Sequence, residues 1–153
     1  MEDSLFAACQ FREKCPCWRD AIRLACSPLE EQQIVSKDYA QAIISATEES
    51  GPWYILSPAF ALPHARPEEG VLSQQTHLSL LSLKEPVAFP DHPGIRLVIV
   101  LAAANSTQHI ETIQRLVCWL DDGDRLQRLS AICSAEELHS ALYDQACATG
   151  VGC

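Results

Sequence analysis

The chain has 153 residues, 48% of them hydrophobic, a composition typical of one globular domain rather than of a disordered segment. Its 20 acidic side chains outnumber 11 Lys and Arg, which gives a net charge of −9 and predicts no binding to nucleic acid or anionic lipid, since both reward clustered cations. No apolar run approaches the ~20 residues of a membrane helix. The first 15 residues lack the apolar stretch of a secretory signal, so we expect a cytoplasmic protein.

The cysteine count of eight raises the alternative of a disulfide framework, but such frameworks belong to short secreted chains. Cys15-Pro16-Cys17 is more closely spaced than ordinary zinc ligands, and no downstream pair of His or Cys completes a set of four. We therefore expect reduced thiols that act as small apolar side chains, and neither a metal nor a cofactor.

Two helices are predicted in the first third of the chain. The first begins near Pro16, and Pro28 should end or kink it at the preceding residue. The second runs from Ser36, as N-cap, to Ser50, where Gly51-Pro52 stops it. In both helices the helical periodicity predicts one face of apolar side chains that points to the core. These side chains are Trp18, Ile22, Ala25, Leu29, Tyr39, Ala40, Ile43 and Ile44.

The middle of the chain is predicted to be extended. Residues 53–56 have the aromatic and branched side chains of a strand, and residues 59–65 form a second short strand or a loop. Residues 77–83 alternate imperfectly and are predicted as a third strand. Residues 96–104 are nearly all apolar, which suits a central strand covered on both faces by helices.

Helical signals return after this run. Residues 105–107 supply candidate N-caps for one helix, Asp121-Asp122 for another, and residues 134–137 have the spacing of a capping box. Residues 1–15 are expected to form an N-terminal arm and residues 148–153 a frayed tail. Helices at both ends around a mostly buried sheet predict an α/β layered domain.

The segment with the clearest chemistry surrounds His64. Pro63 and Pro67 bracket His64 and Arg66, so this loop has little conformational entropy left to lose on binding. Taken alone, a single loop histidine is most often a solvated surface residue, and composition does not decide otherwise.

The string of residues 62–67, Leu-Pro-His-Ala-Arg-Pro, together with Gly-Pro-Trp-Tyr-Ile-Leu at residues 51–56, resembles a known motif. It is similar to the phosphorylation site of the IIA domain in the mannitol/fructose class of the bacterial sugar phosphotransferase system. Within that class it looks most like the ascorbate-type and cryptic-mannitol-type components. The resemblance extends over about residues 16–146.

This resemblance implies a single IIA type 2 domain over residues 1–153, with a mixed, mostly parallel sheet and helices on both faces, a three-layer sandwich. It implies that His64 accepts a phosphoryl group from the histidine-containing phosphocarrier protein. The group would then pass to a IIB component and serve uptake, through the membrane permease IIC, of a sugar such as ascorbate or mannitol.

Two further residues are candidates for holding the phosphoryl group. His109 matches the family's second active-site histidine; if Ser106 is the N-cap, His109 is the third helical residue, where free N–H groups and the helix dipole can receive an anion. Arg66 can face the same side as His64, two residues away, and its guanidinium suits phosphate oxygens. The alternatives are a rim histidine and a solvated arginine.

Two positions depart from the mannitol branch of the family. Pro58 stands where that branch carries a glutamate, and Glu48 where it carries an arginine, which favours the ascorbate and cryptic-mannitol branch. A phosphorylation-dependent regulatory binding module with a IIA-like fold is the alternative function. A hydrolase or metal enzyme built on His64 and His109 has no HExxH or paired-carboxylate motif to support it.

Overall fold

The computed structural model describes residues 6–140. A short 3₁₀ turn, Pro67–Glu69, follows the loop of residues 62–66 that contains His64, which is called the His64 loop below. The helices and strands, in chain order, are β1 (Phe6–Arg12), α1 (Trp18–Glu31), α2 (Asp38–Ser50), β2 (Ile55–Ser57), β3 (Phe60–Ala61), β4 (His77–Phe89), β5 (His92–Ala102), α3 (Ser106–Asp121), α4 (Arg125–Ser130) and α5 (Ala135–His139).

The strands form one five-stranded sheet in the order β1-β4-β5-β3-β2. The pairs β1/β4 and β3/β5 are parallel, whereas β4/β5 and β2/β3 are antiparallel. The α/β class and the mixed sheet are therefore confirmed, with two parallel and two antiparallel pairs rather than a parallel majority.

Helices cover both faces of the sheet, as predicted. The first core cluster packs α1 and α2 against one face, and the second packs α3, α4 and α5 against the other. The central strand β5 is buried on both sides, which explains its continuous apolar sequence. Its side chains alternate between the clusters: Val98, Val100 and Ala102 join the first, and Leu97, Ile99 and Leu101 the second.

Helix α1 passes through Pro28 and ends at Glu31, so the predicted end of the helix near Ser27 is wrong. A helical proline lacks the N–H that would bond the carbonyl four residues earlier, here that of Leu24. The side chain of Gln10 supplies the missing donor, because its Nε2 lies 3.0 Å from the Leu24 carbonyl oxygen. A side chain of the sheet thus bonds the helix carbonyl that the proline leaves without a donor.

The segment expected to be an N-terminal arm contains strand β1. Phe6–Arg12 pairs in parallel with β4 and forms one edge of the sheet. The strand is only half-buried along most of its length, so its sequence shows no clean alternation. The expected frayed tail, 148–153, lies outside the described residues.

Several predicted boundaries move by a few residues. Helix α2 begins at Asp38 and not directly after Ser36, whose hydroxyl accepts the Asp38 N–H at 3.3 Å. Strand β4 continues beyond the predicted 77–83 to Phe89, with an irregular register after Ser82. Helix α4 starts at Arg125, with Asp124 rather than Asp121-Asp122 at its N-cap.

The thiols follow the expectation in part. Cys26 is fully buried in the first core cluster, and this burial raises the pKa of its thiol. Cys118 and Cys133 are exposed, so they do not act as apolar core residues.

None of the helices between residues 6 and 140 combines the length and apolarity that a membrane crossing requires.

Candidate functional site

His64 lies in the loop between β3 and the 3₁₀ turn, and that loop is anchored on the sheet. The Leu62 N–H donates to the Tyr54 carbonyl at 3.0 Å, and the Leu101 N–H at the end of β5 donates to the Pro63 carbonyl at 3.1 Å. The Nδ1 atom of His64 lies 2.7 Å from the Leu62 carbonyl oxygen. Because a carbonyl only accepts, Nδ1 carries the proton, and Nε2 keeps a free lone pair.

The structure places the ring of His109 beside that of His64, the pair of histidines that the family resemblance implies. Their ring centroids are 4.7 Å apart, and the rings meet edge to face at 68°. The Trp53 ring approaches His64 from another direction, with centroids 6.1 Å apart. Among the described residues, nothing bonds the buried Nδ1 atom of His109.

The N-cap of α3 is Asn105, one of the three candidates predicted at residues 105–107. Its side-chain oxygen, rather than that of Ser106, accepts the Gln108 N–H at 2.9 Å. His109 is therefore the fourth helical residue, and its N–H already donates to the Asn105 carbonyl at 2.9 Å. The imidazole of His109, rather than its backbone amide, is what this residue offers to a ligand.

Both histidines line an open pocket of about 620 Å³ between the end of α2, the His64 loop and the start of α3. Trp53 forms part of its wall with 48% of its surface exposed. The charged side chains in the lining are Arg66, Glu49 and Glu69. The pocket is thus wide, accessible and edged by an aromatic ring.

Arg66 lines the same pocket as His64, and its guanidinium forms ion pairs with two carboxylates. Its Nε atom is 3.2 Å from Glu69 Oε1 and 3.8 Å from Glu68 Oε1. Glu69 Oε1 also accepts the backbone N–H of Arg66 at 3.0 Å, which fixes the first turn after the loop. The Arg66 side chain is 78% exposed, so its guanidinium can exchange a carboxylate for another anion.

Both imidazoles are neutral near pH 7. Burial lowers the pKa of His64, the neighbouring His109 lowers this pKa further, and the hydrogen bond to the Leu62 carbonyl partly opposes the shift. Burial also lowers the pKa of His109. Since the ordinary pKa of histidine is ~6.5, His64 is in the form whose Nε2 can act as a nucleophile.

The two positions that depart from the mannitol branch lie outside the lining of this pocket. Glu48 forms an ion pair with Arg19 at 2.7 Å on the surface, and Pro58 lies in the turn between β2 and β3.

The residues that sequence reasoning missed are Trp53 and Glu69. Their proximity to His64 depends on the way α2 and the 3₁₀ turn approach the loop. Within the described chain, no group of three or more His, Cys, Asp or Glu side chains is arranged to hold a metal.

Comparisons with known proteins agree with this geometry. The family model of the phosphoenolpyruvate-dependent sugar phosphotransferase system, EIIA 2, matches residues 7–145. An ascorbate-specific PTS system EIIA component from Shigella boydii is 35% identical over 124 residues, which are 79% of each chain. Two solved structures are also similar.

The first solved structure is the mannitol-specific cryptic phosphotransferase enzyme IIA of Escherichia coli, with a TM-score of 0.81 and 36% identity over 90% of this chain and 95% of that one. The second is a complex of enzyme IIAMTL and phosphorylated enzyme IIBMTL from Escherichia coli, with a TM-score of 0.70 and 28% identity over 93% and 96%. The match over residues 7–145 spans nearly the whole chain, and the chain belongs to the EIIA 2 family of the phosphoenolpyruvate-dependent sugar phosphotransferase system, whose members act as phosphotransfer relay proteins.

Proposed function

We propose that this chain is a phosphocarrier in which Nε2 of His64 accepts a phosphoryl group from the histidine-containing phosphocarrier protein and passes it to a IIB component. The observation that carries the proposal is the hydrogen bond between His64 Nδ1 and the Leu62 carbonyl, 2.7 Å long. This bond fixes the tautomer and leaves Nε2 as the only ring nitrogen of His64 with a free lone pair. A relay histidine needs that property.

The chemical step requires no cofactor and no water. The lone pair of His64 Nε2 attacks the phosphorus of the donor's phosphohistidine, a new N–P bond forms, and the donor's N–P bond breaks with its electron pair returning to the donor imidazole. Transfer to IIB is the same displacement, with a IIB side chain as nucleophile. Phosphoryl transfer depends mainly on positioning and on stabilising charge.

We assign His109 and Arg66 the task of stabilising the charge on the phosphoryl group. The His109 ring lies close enough to His64 to contact a phosphoryl group on it. Arg66 lines the same pocket and presents a guanidinium that suits phosphate oxygens. Neither residue receives the phosphoryl group in this scheme.

The relatives' names support the sugar class. Because one is ascorbate-specific and another mannitol-specific, we place this chain in the uptake of a sugar of that kind. The IIA domain would work in the cytoplasm and reach the permease IIC only through IIB. The complex of enzyme IIAMTL with phosphorylated enzyme IIBMTL supports a direct IIB partner.

The test is phosphorylation with phosphoenolpyruvate, the general phosphotransferase enzyme and the phosphocarrier protein. We expect one acid-labile phosphoryl group on His64 in the wild type and none in His64→Gln. His92→Gln is the matched control, since His92 begins β5 at the end opposite the pocket. Labelling of His64→Gln equal to that of the wild type would refute the assignment.

Transfer of the phosphoryl group from His64 to a IIB component is tested separately. The phosphorylated wild type is mixed with the IIB component of an ascorbate-type system and, in parallel, with that of a mannitol-type system. We expect transfer to at least one of them, faster than spontaneous loss of the label. Retention of all the label on His64 with both partners would contradict the relay.

A further inference from the structure

The hydroxyl of Tyr39 links the His64 loop to strand β5 inside the core. Tyr39 lies on α2 and is fully buried. Its Oη atom lies 2.6 Å from the Leu101 carbonyl oxygen and 3.1 Å from the Ala65 nitrogen. The hydroxyl therefore donates to Leu101 and accepts from Ala65, the residue directly after His64. A second, longer approach of 3.3 Å joins it to the Ala65 carbonyl.

The two peptides on either side of His64 are held by one residue of β5. Before His64, the Pro63 carbonyl accepts the Leu101 N–H at 3.1 Å. After His64, the Ala65 N–H reaches the Leu101 carbonyl through the Tyr39 hydroxyl. The backbone around the histidine is thus clamped at both ends to the same strand.

The same strand leads into the helix that carries His109. Only four residues separate Leu101 from Ser106, the first residue of α3. A clamp on Leu101 therefore fixes His64 relative to His109, whose ring is 4.7 Å away. For a reaction that depends on the alignment of a nucleophile and its stabilising groups, a misplacement of ~1 Å can lower the rate by about 100-fold.

We propose that Tyr39 is a positioning residue for phosphoryl transfer at His64, acting through its hydrogen bonds to Ala65 and Leu101. This inference rests on the proposed function of His64. Tyr39 itself touches neither the phosphoryl group nor the partner, because it lies within the core. Its hydroxyl holds the loop in the geometry in which His64 Nε2 meets the donor.

The decisive variant is Tyr39→Phe, with Tyr54→Phe as its matched control. Tyr54 is equally buried, and its hydroxyl bonds only to Thr47 of α2, at 2.7 Å, among the contacts of the described residues. Both variants lose one buried tyrosine hydroxyl, but only the first loses the link to the His64 loop. We expect Tyr39→Phe to reduce the transfer rate at saturating donor by about 10- to 100-fold, the effect of a displacement of roughly 1 Å.

The KM for the donor should stay within twofold in Tyr39→Phe, and Tyr54→Phe should retain the wild-type rate. Equal losses of rate in the two variants, or no loss in Tyr39→Phe, would overturn the proposal. Thermal melts of both variants show how much of each effect follows from stability alone.

NMR measurements of proton exchange test the hydrogen bonds of the Tyr39 hydroxyl without any phosphorylation. In the wild type, the Ala65 amide should exchange with solvent more slowly than an exposed loop amide, and the His64 Nδ1 proton should give an observable NMR signal. Tyr39→Phe should accelerate both exchanges, whereas Tyr54→Phe should not. An unprotected Ala65 amide in the wild type would overturn the proposal even if Tyr39→Phe did not fold.

The two hypotheses fail separately. If the wild type takes up no phosphoryl group, the proposed function is wrong, and the exchange of the Ala65 amide still tests the clamp. If the wild type is labelled on His64 but Tyr39→Phe transfers at the wild-type rate, the proposed function stands and the role of Tyr39 is wrong.

Discussion

His109 presents its imidazole to that of His64 edge to face, with the ring centroids 4.7 Å apart. The two rings come from different parts of the sheet edge, one from the loop after β3 and the other from the first turns of α3. Both are neutral near pH 7, because burial lowers both pKa values. The pair therefore offers one nucleophile and one adjacent hydrogen-bonding ring without mutual repulsion.

Replacing His109 with Ala should separate its role from that of His64. We expect His109→Ala to fold, to accept the phosphoryl group on His64, and to transfer it to IIB about 100-fold more slowly, the usual effect of losing one preorganised donor. Rapid-quench transfer measurements give the rate, and thermal melts show whether the fold is retained. Wild-type transfer with a lowered melting temperature would instead assign His109 a structural role.

Arg66 should contribute a smaller and salt-sensitive effect. A charge-assisted contact is worth roughly 1.5–3 kcal/mol when it is shielded from water, but the Arg66 side chain is 78% exposed. Screening reduces this to ~1 kcal/mol or less, so we expect Arg66→Ala to shift the phosphorylation equilibrium by no more than about fivefold. Equilibration with the phosphocarrier protein at low and high salt measures the shift.

Two controls accompany the Arg66 experiment. Arg23→Ala removes another exposed arginine, which pairs with Asp20 on α1, and should leave the equilibrium unchanged. Glu69→Gln removes a carboxylate that holds Arg66 and should favour the phosphorylated state. An effect of Arg66→Ala no larger than that of Arg23→Ala would leave Arg66 as a rim charge.

The two histidines should make the fold less stable in mild acid. Their folded-state pKa values lie below the ordinary one, so below about pH 6.5 the unfolded chain binds more protons than the folded chain. The free energy of unfolding then falls as the pH falls, until the folded histidines also titrate. Above about pH 7.5 both states are neutral and this contribution vanishes.

His64→Gln isolates the effect from the many carboxylates. The stability of the wild type relative to His64→Gln should decrease when the pH is lowered from about 7.5 to about 5, because only the wild type carries the titrating group. Denaturant melts across this range measure it, with His92→Gln as the control for a histidine outside the pocket. A difference that does not change with pH would contradict the lowered pKa of His64.

Gln10 and Pro28 should be energetically coupled. Removing the Gln10 side chain leaves the Leu24 carbonyl without its donor, so Gln10→Ala should cost about 1 kcal/mol of unfolding free energy. In a Pro28→Ala background the restored N–H can bond that carbonyl, and the cost of Gln10→Ala should shrink. A double-mutant cycle measures the coupling, and additive effects would show that the two residues act independently.

The sequence predicts the parts of the fold whose signals are local. The apolar run of β5 indicates a strand buried on both faces, because burial on both faces leaves no polar alternation. Gly51-Pro52 marks the end of α2, where Gly51 adopts a φ of +84°. The motif around His64 identifies the family, and its resemblance to the family pairs His64 with His109.

The features that sequence reasoning misses depend on distant partners. Strand β1 has a half-exposed surface and pairs with β4, about 70 residues away, so no turn or alternation reveals it. The donor that bonds the Leu24 carbonyl in the helix through Pro28 comes from Gln10 of that same strand. Asn105 and Ser106 have similar N-cap preferences, so the start of α3 could be placed only to within one residue. The Tyr39 clamp has no sequence signature, since a buried tyrosine on a helical stripe is an ordinary core residue.

Trp53 gives the molecule an optical reporter of its own. Its indole ring is 6.1 Å from the His64 ring and nearly half exposed, whereas Trp18 lies in the core and Trp119 packs against Phe6. A phosphoryl group on His64 adds between one and two negative charges beside one of the three tryptophans. The intrinsic fluorescence of the unlabelled protein should therefore follow each gain and loss of that charge in real time, and Trp53→Phe should abolish the response.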